Sequence, residues 1–145
     1  MAALGCFRAV CLLHAAIDCV SGCLMIFFLW ELAEFGHGKT TSSKILGSTP
    51  YDQLLIATSE SLVGMLLLVI GLLLFMVSFV KDRDFQTFFA KGCIVIHGLM
   101  VVWRLAFEIR VEELAGDSIR QMIGDCLLGS SWIFFLIWNW REKYD

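Results

Sequence analysis

The chain has 145 residues, 59% of them hydrophobic, with a single proline, a mean hydropathy of +0.78 and a formal net charge of −3. A chain this short makes one domain, and as a soluble domain it would leave large apolar patches open to water, so lipid is the expected solvent. The acidic balance, with no basic patch, excludes nucleic acid as a partner.

Four apolar blocks follow one another, at 7–30, 50–80, 85–109 and 118–140. Each reaches the roughly 20 residues that a helix needs to cross about 30 Å of hydrocarbon at 1.5 Å per residue. The pattern predicts an all-α chain: a four-transmembrane-helix bundle forming one integral membrane domain, with both termini on the same side. His14 and Asp18 interrupt the first block and no A-x-A site follows it, so a retained helix is expected there rather than a cleaved signal peptide.

The connections carry helix-boundary chemistry. "ELAEFGHGKTTSSKILGS", polar and glycine-rich, reads as a loop with one short interfacial turn. In "STPYDQLL", Thr49 is placed to cap the second span, with Pro50 at its first position and Asp52 at its third. "VKDRDF" is a charged turn that makes spans two and three an antiparallel hairpin. "RVEELAGDS" closes the last hairpin, with Gly116 as a helix stop and Asp117 or Ser118 as the next cap.

Trp30, Trp138 and Trp140 fall at span ends, where an indole keeps its ring in the interface and its N–H in water. Four spans place Arg8, Lys81, Arg83, Arg141 and Lys143 on one side, with Lys91 close by. Lys39, Lys44 and Arg110 lie on the other, with Arg120 close by. The excess marks the side of the termini as cytoplasmic. The six cysteines, Cys6, Cys11, Cys19, Cys23, Cys93 and Cys126, show no C-x-x-C spacing and read as small apolar residues, and no N-x-[ST] sequon occurs.

Buried polar residues are the informative part, and depth sorts them. Measured from the non-cytoplasmic boundary by helical rise, Glu60 lies about 15 Å inward, Arg104 about 8 Å and Asp125 about 10 Å, so these three share a layer. Asp18 and His97 both lie about 18 Å inward, near the midplane, and His14 sits one turn from Asp18 on the same face. Each span also carries a polar or small-residue stripe: His14, Asp18, Ser21 and Gly22; Gln53, Ala57, Glu60, Gly64 and Gly71; His97, Arg104 and Glu108; Gln121, Asp125 and Gly129. Such stripes face inward, the small residues allowing close approach and the polar ones bonding across the bundle.

Arg104 at a helix centre would otherwise cost about 2.5 to 3.5 kcal/mol, so Glu60, Asp125 or Glu108 is expected to neutralise it, either as a strut or as part of a ligand, ion or proton site. No H-E-x-x-H, G-x-S-x-G, phosphate-binding glycine loop or dinucleotide fingerprint occurs, so no catalytic residue, metal site or cofactor is assigned and the chain reads as a non-enzyme. His14 and His97 as axial ligands of a haem would have to bridge a depth difference of about 6 Å, and an imidazole paired with a carboxylate is the commoner arrangement.

The segments "MAALGCFRAVCLLHAAID", "GSTPYDQLLIATSESLVG", "FVKDRDFQTFFAKGC" and "WREKYD" resemble a family of small plant four-span integral membrane proteins without established activity, over nearly the full chain. In size and topology alone the chain is also similar to the ergosterol-biosynthesis scaffold proteins of the endoplasmic reticulum, which tether enzymes. The resemblance implies no catalytic residue. The function expected is that of a small membrane adaptor or scaffold in an endomembrane, the endoplasmic reticulum above all. Its partners would be the lipid bilayer and other membrane proteins or a second copy of itself. The competing expectation is a small transporter or ligand-binding bundle using the Glu60, Arg104 and Asp125 layer.

Overall fold

The computed structural model describes residues 2–144, and side chains for residues 4–142. Met1, Asp145 and the Lys143 side chain, on which part of the expected orientation rests, lie outside the described residues. Among the described residues there are five α-helices and no strand: α1 (Ala2–Phe27), α2 (Leu29–Ile45), α3 (Pro50–Val77), α4 (Arg83–Ala106) and α5 (Ala115–Tyr144), with a short 3-10 turn at Glu108–Arg110. Four stretches are long and apolar enough to cross a membrane, Leu4–Phe27, Pro50–Val77, Arg83–Arg110 and Ala115–Glu142. This is the all-α, four-span architecture that the hydropathy predicts. Helix is the form that lets a backbone satisfy its own N–H and C=O groups in hydrocarbon. Phe88, Leu127 and Met76 remain largely exposed on the helix surfaces, which in lipid is the favourable state for an apolar side chain.

The chain forms two compact units, one made of residues 1–13 and 76–145 and the other of His14–Phe75. In the first unit, α4 packs against α5. Its core is aromatic: Phe7, near the start of α1, lies 5.2 Å from Phe135, 6.1 Å from Trp132 and 6.3 Å edge-on from Phe89, ring centre to ring centre. Phe89 in turn meets Trp132 edge-on at 5.8 Å. Phe7, Trp132 and Phe135 are fully buried. Each such pair is worth about 0.5–1.5 kcal/mol beyond area burial, and together they bring the start of α1 beside the end of α5.

In the second unit, α1 and α3 touch backbone to backbone. A β-carbon on Gly22 would stand 2.5 Å from the Gly64 carbonyl oxygen, and one on Gly64 2.8 Å from the Gly22 oxygen. At Gly71 it would meet Cys19 Sγ at 2.6 Å and the Ala15 oxygen at 3.0 Å. Only glycine permits this approach, and the pairings run antiparallel, Gly22 with Gly64 and Ala15 with Gly71.

Caps explain the helix starts. Thr49 Oγ1 accepts the Asp52 N–H at 3.1 Å and donates to Asp52 Oδ2 at 2.6 Å, so α3 opens with Pro50 at its first position as the sequence predicts. Asp82 caps α4, its Oδ1 accepting from the N–H groups of Asp84 at 2.9 Å and Phe85 at 3.1 Å. Buried Gln86 donates from Nε2 to the Val80 carbonyl at 2.7 Å, pinning the turn before it.

Three boundaries differ from expectation. The segment expected to be a loop is helix α2. Phe28 leaves helical geometry (φ −134°, ψ 36°), yet the bonds Phe28 N to Leu24 O and Leu32 N to Phe28 O persist at 2.8 and 2.9 Å, so α1 runs on through a kink. Leu32, Ala33 and Glu34 are good helix formers that outweigh the glycines until Gly38, whose φ of +76° breaks α2 in two. The α4 helix stops at Ala106 rather than 109, because Phe107 (φ −123°, ψ −58°) turns the chain into the 3-10 segment. Finally, α5 begins at Ala115 with Gly116 inside its first turn. The Leu114 carbonyl accepts from the Asp117 and Ser118 amides at 3.0 and 2.8 Å, so neither side chain acts as the cap.

Candidate functional site

The intramembrane charges of the first unit form one network across the α4–α5 hairpin. Arg104 Nε donates to Asp125 Oδ2 at 3.1 Å, and Arg104 Nη1 donates to Glu108 Oε2 at 2.5 Å. His97 Nδ1 donates to the other oxygen, Asp125 Oδ1, at 3.2 Å. The four side chains retain only 13–18% of their exposure. Asp125 thus accepts from two residues of α4 that are two turns apart.

The backbone explains how one carboxylate reaches both. Helical side chains lean toward the N-terminus, so Arg104 extends back along α4 toward the level of His97, and Asp125 meets the guanidinium from α5 between the two. Helical rise counted at the α-carbons assigns His97 and Asp125 to separate layers, yet the two side chains meet directly, and the length of the arginine brings Arg104 to the same carboxylate. Gly129, one turn beyond Asp125 on the same face of α5, faces His97, and a β-carbon there would touch His97 Cβ at 3.4 Å, an ordinary van der Waals contact. The 3-10 turn after Phe107 carries Glu108 while it folds onto Arg104.

His14, Asp18 and Glu60 belong to the second unit. His14 is buried and engaged with a neighbour, Asp18 is half-buried and likewise engaged, and Glu60 is half-buried on α3. Among the described residues no group of three or more His, Cys, Asp or Glu side chains is arranged to hold a metal ion.

A second polar cluster, which the sequence reading did not single out, ties the other end of the hairpin. Arg83 Nη2 donates to Asn139 Oδ1 at 3.1 Å and to Glu142 Oε2 at 2.7 Å, while Asn139 Nδ2 donates to Thr87 Oγ1 at 3.0 Å. Its signal was an asparagine between two interfacial tryptophans. Arg8 stacks over the Phe79 ring, 4.9 Å from its centre, in the same unit.

Chemically, the Arg104 network is a charge-assisted clasp. One guanidinium is shared by two carboxylates in low dielectric, and removing it would strand them at a cost of about 3 to 5 kcal/mol. The comparisons with known proteins add the family. No curated protein and no solved structure matches the chain. A family model described as a domain of unknown function (DUF7865) matches residues 2–133, nearly the whole chain, and to that family this protein belongs.

Proposed function

We propose that this protein is a non-enzymatic membrane adaptor or scaffold, acting through contacts of its helices inside an endomembrane, the endoplasmic reticulum in particular. Its partners are other membrane proteins or a second copy of the chain. A place among small plant four-span membrane proteins is part of the same proposal. The observation that carries it is the mutual satisfaction of the Arg104 network: both Asp125 oxygens are occupied and the guanidinium is shared between two carboxylates. Polar groups spent on one another hold α4 to α5 and leave the outer helix faces as the working surface.

Cytoplasmic termini are supported by the grouping of Arg8, over Phe79, with Arg83, on Asn139 and Glu142, in the unit that also holds Lys81 and Arg141. Proximity labelling from intact membranes tests the adaptor: a membrane enzyme labelled reproducibly is the expected result, and solute movement lost on deletion with no recurring partner contradicts it.

A small transporter or ligand-binding bundle is the second reading, and one observation favours it. The network sets two carboxylates, Asp125 and Glu108, around one guanidinium, and a small cation would balance the second acid.

A further inference from the structure

Phe35 is 93% exposed, the most exposed large apolar side chain among the described residues, and it sits in the polar segment between the first two spans, beside Glu34. The Gly22–Gly64 contact sets the register of α1 against α3. Gly64 stands at the middle of α3, whose 28 residues span about 42 Å, matching the roughly 40–45 Å of a bilayer with its headgroups. The antiparallel register pairs Gly22 with Gly64 and Ala15 with Gly71. Continued in the other direction, through a kink at Phe28 that keeps its i to i−4 bonds, the same register sets Phe35 level with Tyr51. Each lies thirteen residues from the crossing, about 20 Å by helical rise, in the outer part of the headgroup layer of a bilayer centred on that crossing. Tyr51 is 73% exposed.

From this register we infer that the first half of α2 extends the first span into the bilayer interface, where Phe35 and Tyr51 anchor it among the phospholipid headgroups. The occupant of this surface is the protein's own bilayer, because the segment follows directly on the exposed apolar side chains Val20, Leu24, Phe27 and Phe28 at the end of α1. An aromatic ring at this depth is favourable, whereas a fully exposed phenylalanine in water is not. Glu34, about 18 Å from the crossing by the same rise, holds its carboxylate at the headgroup level, and Glu31, at about 14 Å, stands at the edge of the hydrocarbon. Gly38, with φ of +76°, then turns the chain back toward Pro50.

Incorporation of 4-fluorophenylalanine at position 35 of the full chain, in phosphatidylcholine nanodiscs, tests the anchor with little change of shape. A phosphatidylcholine carrying a nitroxide near its headgroup should broaden the fluorine line several-fold more than a soluble gadolinium chelate does, as should a fluorotyrosine at position 51. Stronger broadening by the chelate would mean that the segment stands in water and overturns the inference. Weak broadening by both would mean that protein covers Phe35, and overturns it equally.

Discussion

Arg104 on α4 reaches Asp125 on α5 through Nε at 3.1 Å, and His97, two turns back along α4, reaches the same carboxylate at 3.2 Å. One acid therefore fixes the register of two apolar helices that have no hydrophobic force to hold them together in lipid. Gly129→Leu should push on this joint, since the space its side chain would enter belongs to His97. The expected outcome is a loss of folded protein on the order of 1–3 kcal/mol in a denaturant titration in micelles. An unchanged midpoint would show that the imidazole does not need the glycine.

The α1–α3 seam makes a sharper steric prediction. Gly64→Ala places a methyl 2.8 Å from the Gly22 oxygen, whereas Gly92→Ala on α4 meets nothing within 4 Å. The first should destabilise. The second should be neutral or stabilising, by up to about 1 kcal/mol through helix propensity. Equal midpoints for the two variants would mean that the helices do not meet at Gly64.

Asp82→Ala removes both capping bonds at the start of α4 and should lower stability by about 1 kcal/mol. Asp82→Asn, which can still accept, should recover most of that. Identical losses would point to the charge near the helix N-terminus rather than to the cap.

The spans were legible in the sequence because lipid imposes a length and a hydropathy on each, and α3 could be entered at Thr49 because a capping box leaves a four-residue signature. The pairing of Arg104 with acids followed from the expense of an isolated intramembrane charge. What the sequence did not yield depends on side-chain reach and on competing backbone preferences. His97 and Arg104 share Asp125 because side chains reach along the helix to a common level, which α-carbon depths ignore. Glycines in "EFGHGK" suggested a loop, yet their neighbours sustain a helix until Gly38 takes a left-handed conformation. Asn139 is not marked out by the sequence because its partners, Arg83 and Thr87, are more than fifty positions away.

Orientation is tested by tags. Cleavable reporters at the two ends should both be reached from the cytoplasmic face of intact microsomes, and a reporter between Lys39 and Ser48 only after the membrane is opened. Ends on opposite faces would contradict an even number of crossings.

The most direct test of the clasp as a strut is the double-mutant cycle between Arg104 and Asp125, read as fraction folded and as complementation of a deletion. Arg104→Leu alone leaves Asp125 and Glu108 without their shared guanidinium and should cost about 3 to 5 kcal/mol, Asp125→Leu alone should cost less because Glu108 still pairs with Arg104, and the two together should recover part of the Arg104→Leu loss. The double variant should also restore the deletion phenotype, because an adaptor needs the hairpin joined and not the charges themselves. Additive losses, or a folded double variant that fails to complement, would contradict the account and make Arg104 and Asp125 a working site.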